Sequence, residues 1–318
     1  MIDFEYLSKG LNALARAHHM SSMAGHLGAS VIAGYSVGEQ RADLEPEVLR
    51  GIENDLDRVI RGESVFGRKM SRKATLSDPE LFEPFPKEQA NESLLDRIAE
   101  RLEKTLSKPR QSGHNVIFGS IAIRALKEHP ELCTPSVVDG ISRLLAMFEK
   151  AHPGSGYYGK AKGRITGNRI PLPEEDDSPS YDSIEGMALV VLAEMTSQQP
   201  ELHRIGYGGL VHIINHAAAI ADLADYGYPE LVPTAIRSHR HHLRLWRNLP
   251  NVADEHGPLT VSKFTPHSKA YWTSGDVPYD RALLTHRVKT MFGLDELVAA
   301  IDEQASEQAA YDKLRLLM

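Results

Sequence analysis

The stretch "YGGLVHIINHAAAIADLADYGYPEL", Tyr207 to Leu231, decides the fold class. Its apolar residues recur at helical spacing and small residues fill its middle. It ends at Gly-Tyr-Pro-Glu-Leu, so it reads as a buried helix stopped by a proline-bearing turn. His212 and His216 stand one turn apart on it.

Two other stretches share this layout. "GHLGASVIAGYSVGEQRADLEPEVLRGIENDLDRVI" starts at Gly25 and "GHNVIFGSIAIRALKEHPELCTPSVVDGISRLLAMF" starts at Gly113. Each places a histidine near the start of a small-residue helix, then a proline turn, then a second amphipathic helix. His26 precedes Leu44 by eighteen positions, His114 precedes Leu132 by eighteen, and His212 precedes Leu231 by nineteen. The same punctuation recurs as "EPEV" at 45–48, "DPEL" at 78–81 and "QPEL" at 199–202. Proline suits a first helical turn, and glutamate complements its positive end.

One helix pair cannot bury its own apolar faces, so such pairs must stack. The expected class is all-α, with paired-helix repeats. Helices are predicted over 3–18, 20–40, 45–62, 92–108, 114–128, 135–151, 181–198, 203–226, 229–248 and 280–301, with a short one at the C-terminus. No strand is predicted. Ala, Gly and Ser crowd the first helix of each pair, whereas the second carries more charge. That asymmetry favours an α/α toroid with a central cavity over an open solenoid. Residues 1–318 read as one helical domain. Long loops at 152–180 and 251–280 are expected to cover the cavity mouth.

Apolar residues are 42% and charged residues 25% of the chain, as in globular proteins. The formal charge of -7 and the lack of a basic block argue against a nucleic-acid partner. Cys133 is the single cysteine, which excludes an intramolecular disulfide and a multi-cysteine metal site. It falls in a turn and is expected to be structural. No signal pattern or membrane-length apolar run is visible, so a cytoplasmic protein without a membrane partner is expected. A phosphate-cradling loop, a Rossmann fingerprint and a nucleophile elbow are all missing, so no nucleotide cofactor is evident.

"HPGSGYYGK" at 152–160 and "SYDSIEGMALVVLAEM" at 180–195 resemble the glycine-aromatic loop and inner helix of the α/α-toroid superfamily. That group includes terpenoid cyclases, protein prenyltransferases and sugar-processing enzymes. The resemblance spans 110–250 and implies a toroid. The Asp-x-Asp-Asp acid motif and Gln-Trp repeats are absent, and "NDLDRVIRGE" at 54–63 misses the metal motif of terpene synthases. Cyclase chemistry is therefore not implied. The histidine-rich stretch 207–224 is similar to questin-oxidase-like proteins, which are all-helical and insert oxygen. It assigns no catalytic position.

The chain has fifteen histidines. His19, Met23 and His26 are expected on one helical stripe. His114 shares a face with Phe118, Ile121 and Ala125, and His212 and His216 share one with Ala219 and Leu223. Repeat alignment equates His26, His114 and His212, which would then point into one cavity. Neutral imidazoles are ligands for zinc or iron, and an i, i+4 pair can reach one ion. The predicted metal set is His26, His114, His212 and His216, with His19 in reserve. Glu185 or Asp182 would complete it, whereas Asp222 and Asp225 point away from His216. Tyr181 and Tyr158 would position substrate or move protons. His239 is expected to face the core, and His241 and His242, beside Arg240 and Arg244, are expected in solvent.

These residues suit a metal-dependent enzyme, an oxidoreductase or a hydrolase or lyase, acting on a small organic molecule. A metal-free sugar or uronate epimerase or lyase is an alternative, using His and Tyr for proton transfer with Arg164 and Arg169 holding the acid. A non-catalytic helical-repeat scaffold is another. The apolar neighbours of each histidine also suit a plain core, where burial requires only hydrogen-bond partners.

Overall fold

Short polar side chains and prolines start several helices, as the punctuation predicts. Asp3 accepts from the Glu5 N–H at 2.7 Å, and Ser183 accepts from the Gly186 N–H at 3.1 Å. Pro46 and Pro135 each open a helix. A computed structural model describes residues 1–67, 74–174, 177–275, 277, 282–301 and 304–318. Residues 175–176 and 276 and 278–280 of the two predicted loops, and 280–281 of the last long predicted helix, lie outside the described residues.

The helices are α1 (Phe4–Arg16), α2 (Gly25–Gln40), α3 (Pro46–Ile60), α4 (Asp78–Leu81), α5 (Asp96–Glu103), α6 (His114–Glu128) and α7 (Pro135–Ala146). They continue as α8 (Ile184–Ser197), α9 (Gly209–Asp225), α10 (Val232–Arg247), α11 (Ala253–His256), α12 (Lys269–Thr273), α13 (Leu283–Ala299) and α14 (Gln304–Lys313). Helix makes up 61% of the chain, which establishes the all-α class. No helix among the described residues is long and apolar enough to cross a membrane.

Two local expectations need correction. The sequence predicts a helix from 20, but α2 begins at Gly25. Ser21 is extended, at φ -170° and ψ 164°, and its hydroxyl accepts from the Ala24 N–H. This cap breaks the chain into two 3₁₀ turns, so His19, Met23 and His26 share no helical stripe. The second correction is a hairpin inside the first predicted loop, β1 (Ser155–Tyr157) and β2 (Arg164–Thr166). It is antiparallel, in the register Ser155↔Thr166, Gly156↔Ile165 and Tyr157↔Arg164. Three residues per strand are too few to show a period-two pattern.

The chain falls into two compact units with no linker between them. Unit 1 is 1–104, 118–149 and 266–292; unit 2 is 105–117, 150–265 and 293–318. The sequence reads as one domain because no composition shift marks the five points where the chain leaves one unit for the other.

In unit 1, α1 packs on α2 and α7, and α2 packs on α3. Gly10 and Gly28 allow the α1–α2 approach: a Cβ on Gly28 would stand 2.6 Å from the Gly10 carbonyl oxygen. Leu7, Leu11, Leu14, Ile32, Ile52 and Leu56 fill this core. Each fully buried aliphatic side chain contributes about 1.5–3 kcal/mol. Arg287 is buried as well. It binds the Tyr271 hydroxyl at 2.7 Å and forms a short ion pair with Asp55.

In unit 2, α9 lies between α8 and α10, packing on both. Ala217, Ala218, Ala219 and Ala221 are buried, as the small-residue pattern predicts. Gly156 of the hairpin pairs with Gly206, where a Cβ on Gly206 would meet the Gly156 Cα. That contact ties the hairpin to the start of α9.

Candidate histidine centre

Two left-handed backbone runs build the centre of unit 2. Gln111, Ser112 and Gly113 have φ of 48°, 64° and 83°. Gly206, Tyr207, Gly208 and Gly209 have φ of 149°, 49°, 73° and 66°. Glycine adopts this region freely, but each other residue held there costs about 1–2 kcal/mol. Hydrogen bonds hold the strained residues. The Gln111 N–H donates to the His152 carbonyl at 2.8 Å and the Ser112 N–H to that of Pro153 at 2.9 Å. The Tyr207 N–H donates to the Ser155 carbonyl at 3.0 Å. The runs lead directly into α6 and α9.

Their carbonyls orient three imidazoles. His114 donates from Nδ1 to the Gln111 oxygen in a short hydrogen bond, and His212 donates from Nδ1 to the Ser112 oxygen at 3.4 Å. His242 donates from Nε2 to the Tyr207 oxygen at 2.8 Å. A carbonyl only accepts, so each of these nitrogens carries the proton. The lone pair therefore lies on Nε2 in His114 and His212. Their rings stand 4.5 Å apart at 72°, and a ligand nitrogen of each lies within 4.8 Å of the other. His114 is 3% exposed and His212 6%.

His242 Nδ1 is left as an acceptor, and His216 Nδ1 donates to it at 3.2 Å. His216 Nε2 then holds a lone pair with no hydrogen-bond partner among the described residues, at 0% exposure. Gly113 makes room for this ring, since a Cβ there would lie 2.6 Å from His216 Cγ. His239 stacks edge-on against His216, with centroids 5.1 Å apart. It donates from Nε2 to the Ile213 carbonyl at 3.0 Å and accepts at Nδ1 from the Tyr181 hydroxyl at 2.6 Å.

Burial keeps this group neutral. It holds His216 well below the ordinary imidazole range, with the neighbouring histidines adding to the effect. Burial likewise lowers His239 to about 4, and His242 to about 3 against its carbonyl hydrogen bond. Burial raises the Tyr181 hydroxyl above its usual value, so it is a proton donor at neutral pH. The Tyr158 hydroxyl meets that of the buried Tyr207 at 3.2 Å.

His26 belongs to unit 1, where its ring stacks on Phe66 at 4.0 Å and its Nδ1 meets the Lys289 amine at 2.5 Å. His19 is exposed and stacks on His18 at 4.0 Å. Glu185 and Asp182 are exposed at the start of α8. Asp222 is buried, and Asp225 is exposed.

His239 faces the core as predicted. His242 does not face solvent: it is buried, whereas His241 is half-buried. The arginines on either side hid it, because they belong to the opposite face of α10. Its spacing from His239, i+3, was the available signal. Cys133 is buried in the turn after Leu132, as expected, and burial raises its thiol.

No known protein family, curated protein or solved structure matches this chain.

Proposed function

We propose that unit 2 is the metal-binding part of an enzyme acting on a small organic molecule, with His114 and His212 as ligands through Nε2. One observation carries this reading. Two imidazoles 98 positions apart donate from Nδ1 to successive carbonyls of one left-handed turn, which fixes both in the tautomer whose lone pair is on Nε2. A carbonyl bond at the second nitrogen is the usual way a metal-ligating histidine is oriented. Iron or zinc suits neutral imidazole, and such an ion polarises a carbonyl, activates water or binds dioxygen.

The rest of the cluster supplies proton handling. His216 is neutral, and its Nε2 lone pair has no hydrogen-bond partner among the described residues. Tyr181 holds His239 through a hydrogen bond to its Nδ1, and Tyr158 is the half-buried end of a hydroxyl pair. The oxidoreductase form of this reading is favoured over a hydrolase or lyase by the resemblance of 207–224 to oxygen-inserting proteins.

A second reading is favoured by the tyrosines. The Tyr181–His239 bond at 2.6 Å and the Tyr158–Tyr207 pair at 3.2 Å also suit metal-free proton transfer, as in a sugar epimerase or lyase.

Metal analysis of protein expressed with iron or with zinc separates the two. The first reading expects near-stoichiometric metal in the native chain and its loss in His114→Ala and His212→Ala. His26, aligned with them in sequence, is the third variant. Metal-free protein that still converts a uronate would instead establish the second reading.

A further inference from the structure

In unit 1, α1, the segment "PFPKE" at 84–88 and the turn leading into α7 line a cavity of about 340 Å³. Leu11, Phe85, Leu132 and Val137 give it apolar walls, and Asn12 sets one carboxamide among them. We propose that this cavity binds a compact, neutral, mainly apolar molecule carrying an amide group, held through Asn12.

Asparagine is a weak helix former and favours exposed positions. Asn12 is 9% exposed on α1, beside the buried Leu11 and Leu14. Its side chain makes no hydrogen bond among the described residues. A plain core would be better served by leucine there, because a buried amide without a partner is destabilising. The group offers a donor and an acceptor side by side, and a second amide presents the matching pair. A carboxylate only accepts and would leave the Asn12 oxygen unpaired.

The lining favours no ionic ligand, since Lys87 and Glu88 balance in charge. Glu88 is also committed, accepting from the Ser136 N–H at 2.8 Å and from its hydroxyl at 2.7 Å. The same contact anchors one end of the 84–88 segment. Arg16 anchors the other: it donates to the carbonyls of Leu81, Glu83 and Pro84 and lies 3.7 Å from the Phe85 ring centre. Pro84 and Pro86 stiffen the chain between the anchors. A pre-formed, mainly apolar cavity of about 300–1,000 Å³ with a few placed polar groups is the common form of a small-molecule site. The histidine centre belongs to unit 2, so this assignment does not rest on a metal there.

Calorimetry and ligand-observed NMR with indole-3-acetamide, 3-ethylindole and indole-3-acetate test it. The three share a ring and differ in side group: an amide, a hydrocarbon and a carboxylate. Saturable binding of the acetamide is expected, about tenfold or more tighter than that of the other two, as one or two hydrogen bonds would give. Asn12→Leu removes the amide at nearly constant size and should erase that preference while 3-ethylindole binds as before; Asn12→Ala serves if the leucine variant does not fold. No saturable binding of the acetamide, equal or tighter binding of either other compound, or a preference that survives in the Asn12 variants overturns the assignment.

Discussion

Replacing Lys289 by methionine should stabilise the protein at neutral pH. The amine is 3% exposed and hydrogen-bonded to His26 Nδ1 at 2.5 Å, and His286 stands against the same ring at 4.7 Å. No carboxylate pairs with it among the described residues. Burial lowers this lysine from 10.5 to about 7. At about 1.4 kcal/mol per pH unit, holding it in the fold at pH 7 costs roughly 4–5 kcal/mol. Losing the bond to His26 returns about 1 kcal/mol of that, so a net gain of roughly 3 kcal/mol is expected.

The pH dependence has a definite sign. Above pH 7 the unfolded chain binds this proton and the folded chain releases it, so native stability rises with pH. Between pH 7 and 8.5 the native protein should gain about 1.5–2 kcal/mol. The window stops there because the raised Cys133 thiol and buried tyrosines act with the opposite sign at higher pH. Urea denaturation at both pH values reads the effect. A native stability flat across the window, or a variant no more stable at pH 7, would refute the reasoning.

Other perturbations have equally definite outcomes. Gly113→Ala places a Cβ at φ 83° and 2.6 Å from the His216 ring, and should cost at least about 2 kcal/mol in chemical denaturation. Arg287→Met leaves the buried Asp55 with Arg58 as its remaining partner at 3.2 Å, and should cost up to about 3–5 kcal/mol, partly recovered by adding Asp55→Asn. Tyr181→Phe removes the donor to His239 Nδ1 and should cost about 1–3 kcal/mol, whereas Tyr158→Phe, half-buried, should cost less than about 1 kcal/mol; thermal melts compare them. The buried imidazoles bind protons less readily than their unfolded forms, so stability should fall as pH drops from 6.5 to 4. His239 alone accounts for about 3 kcal/mol, measured as a falling urea midpoint that flattens in His239→Phe.

The helix pairs were legible because apolar periodicity and Pro-Glu turns act locally. α6 matches its predicted bounds, α9 starts at Gly209 because the left-handed run from Gly206 precedes it, and α10 starts at Val232 after a 3₁₀ turn. The α2 start was missed because Ser21 caps in mid-pattern, and the hairpin because its strands are short and glycine-bearing. The pairing of His114 with His212 followed from their equivalent positions in the pattern. What aims them did not, since it depends on left-handed φ at Gln111 and Ser112, residue types that rarely announce it. His242 was misplaced for a simpler reason: its chain neighbours are arginines, while its bonding partners lie 26 and 35 positions away.

The most direct test is an anomalous difference map from crystals grown with iron or zinc, recorded at each metal edge. The proposal predicts one peak at about 2.0–2.2 Å from Nε2 of both His114 and His212. An empty map there, with the two rings donating to the same carbonyls and no metal bound, would contradict it.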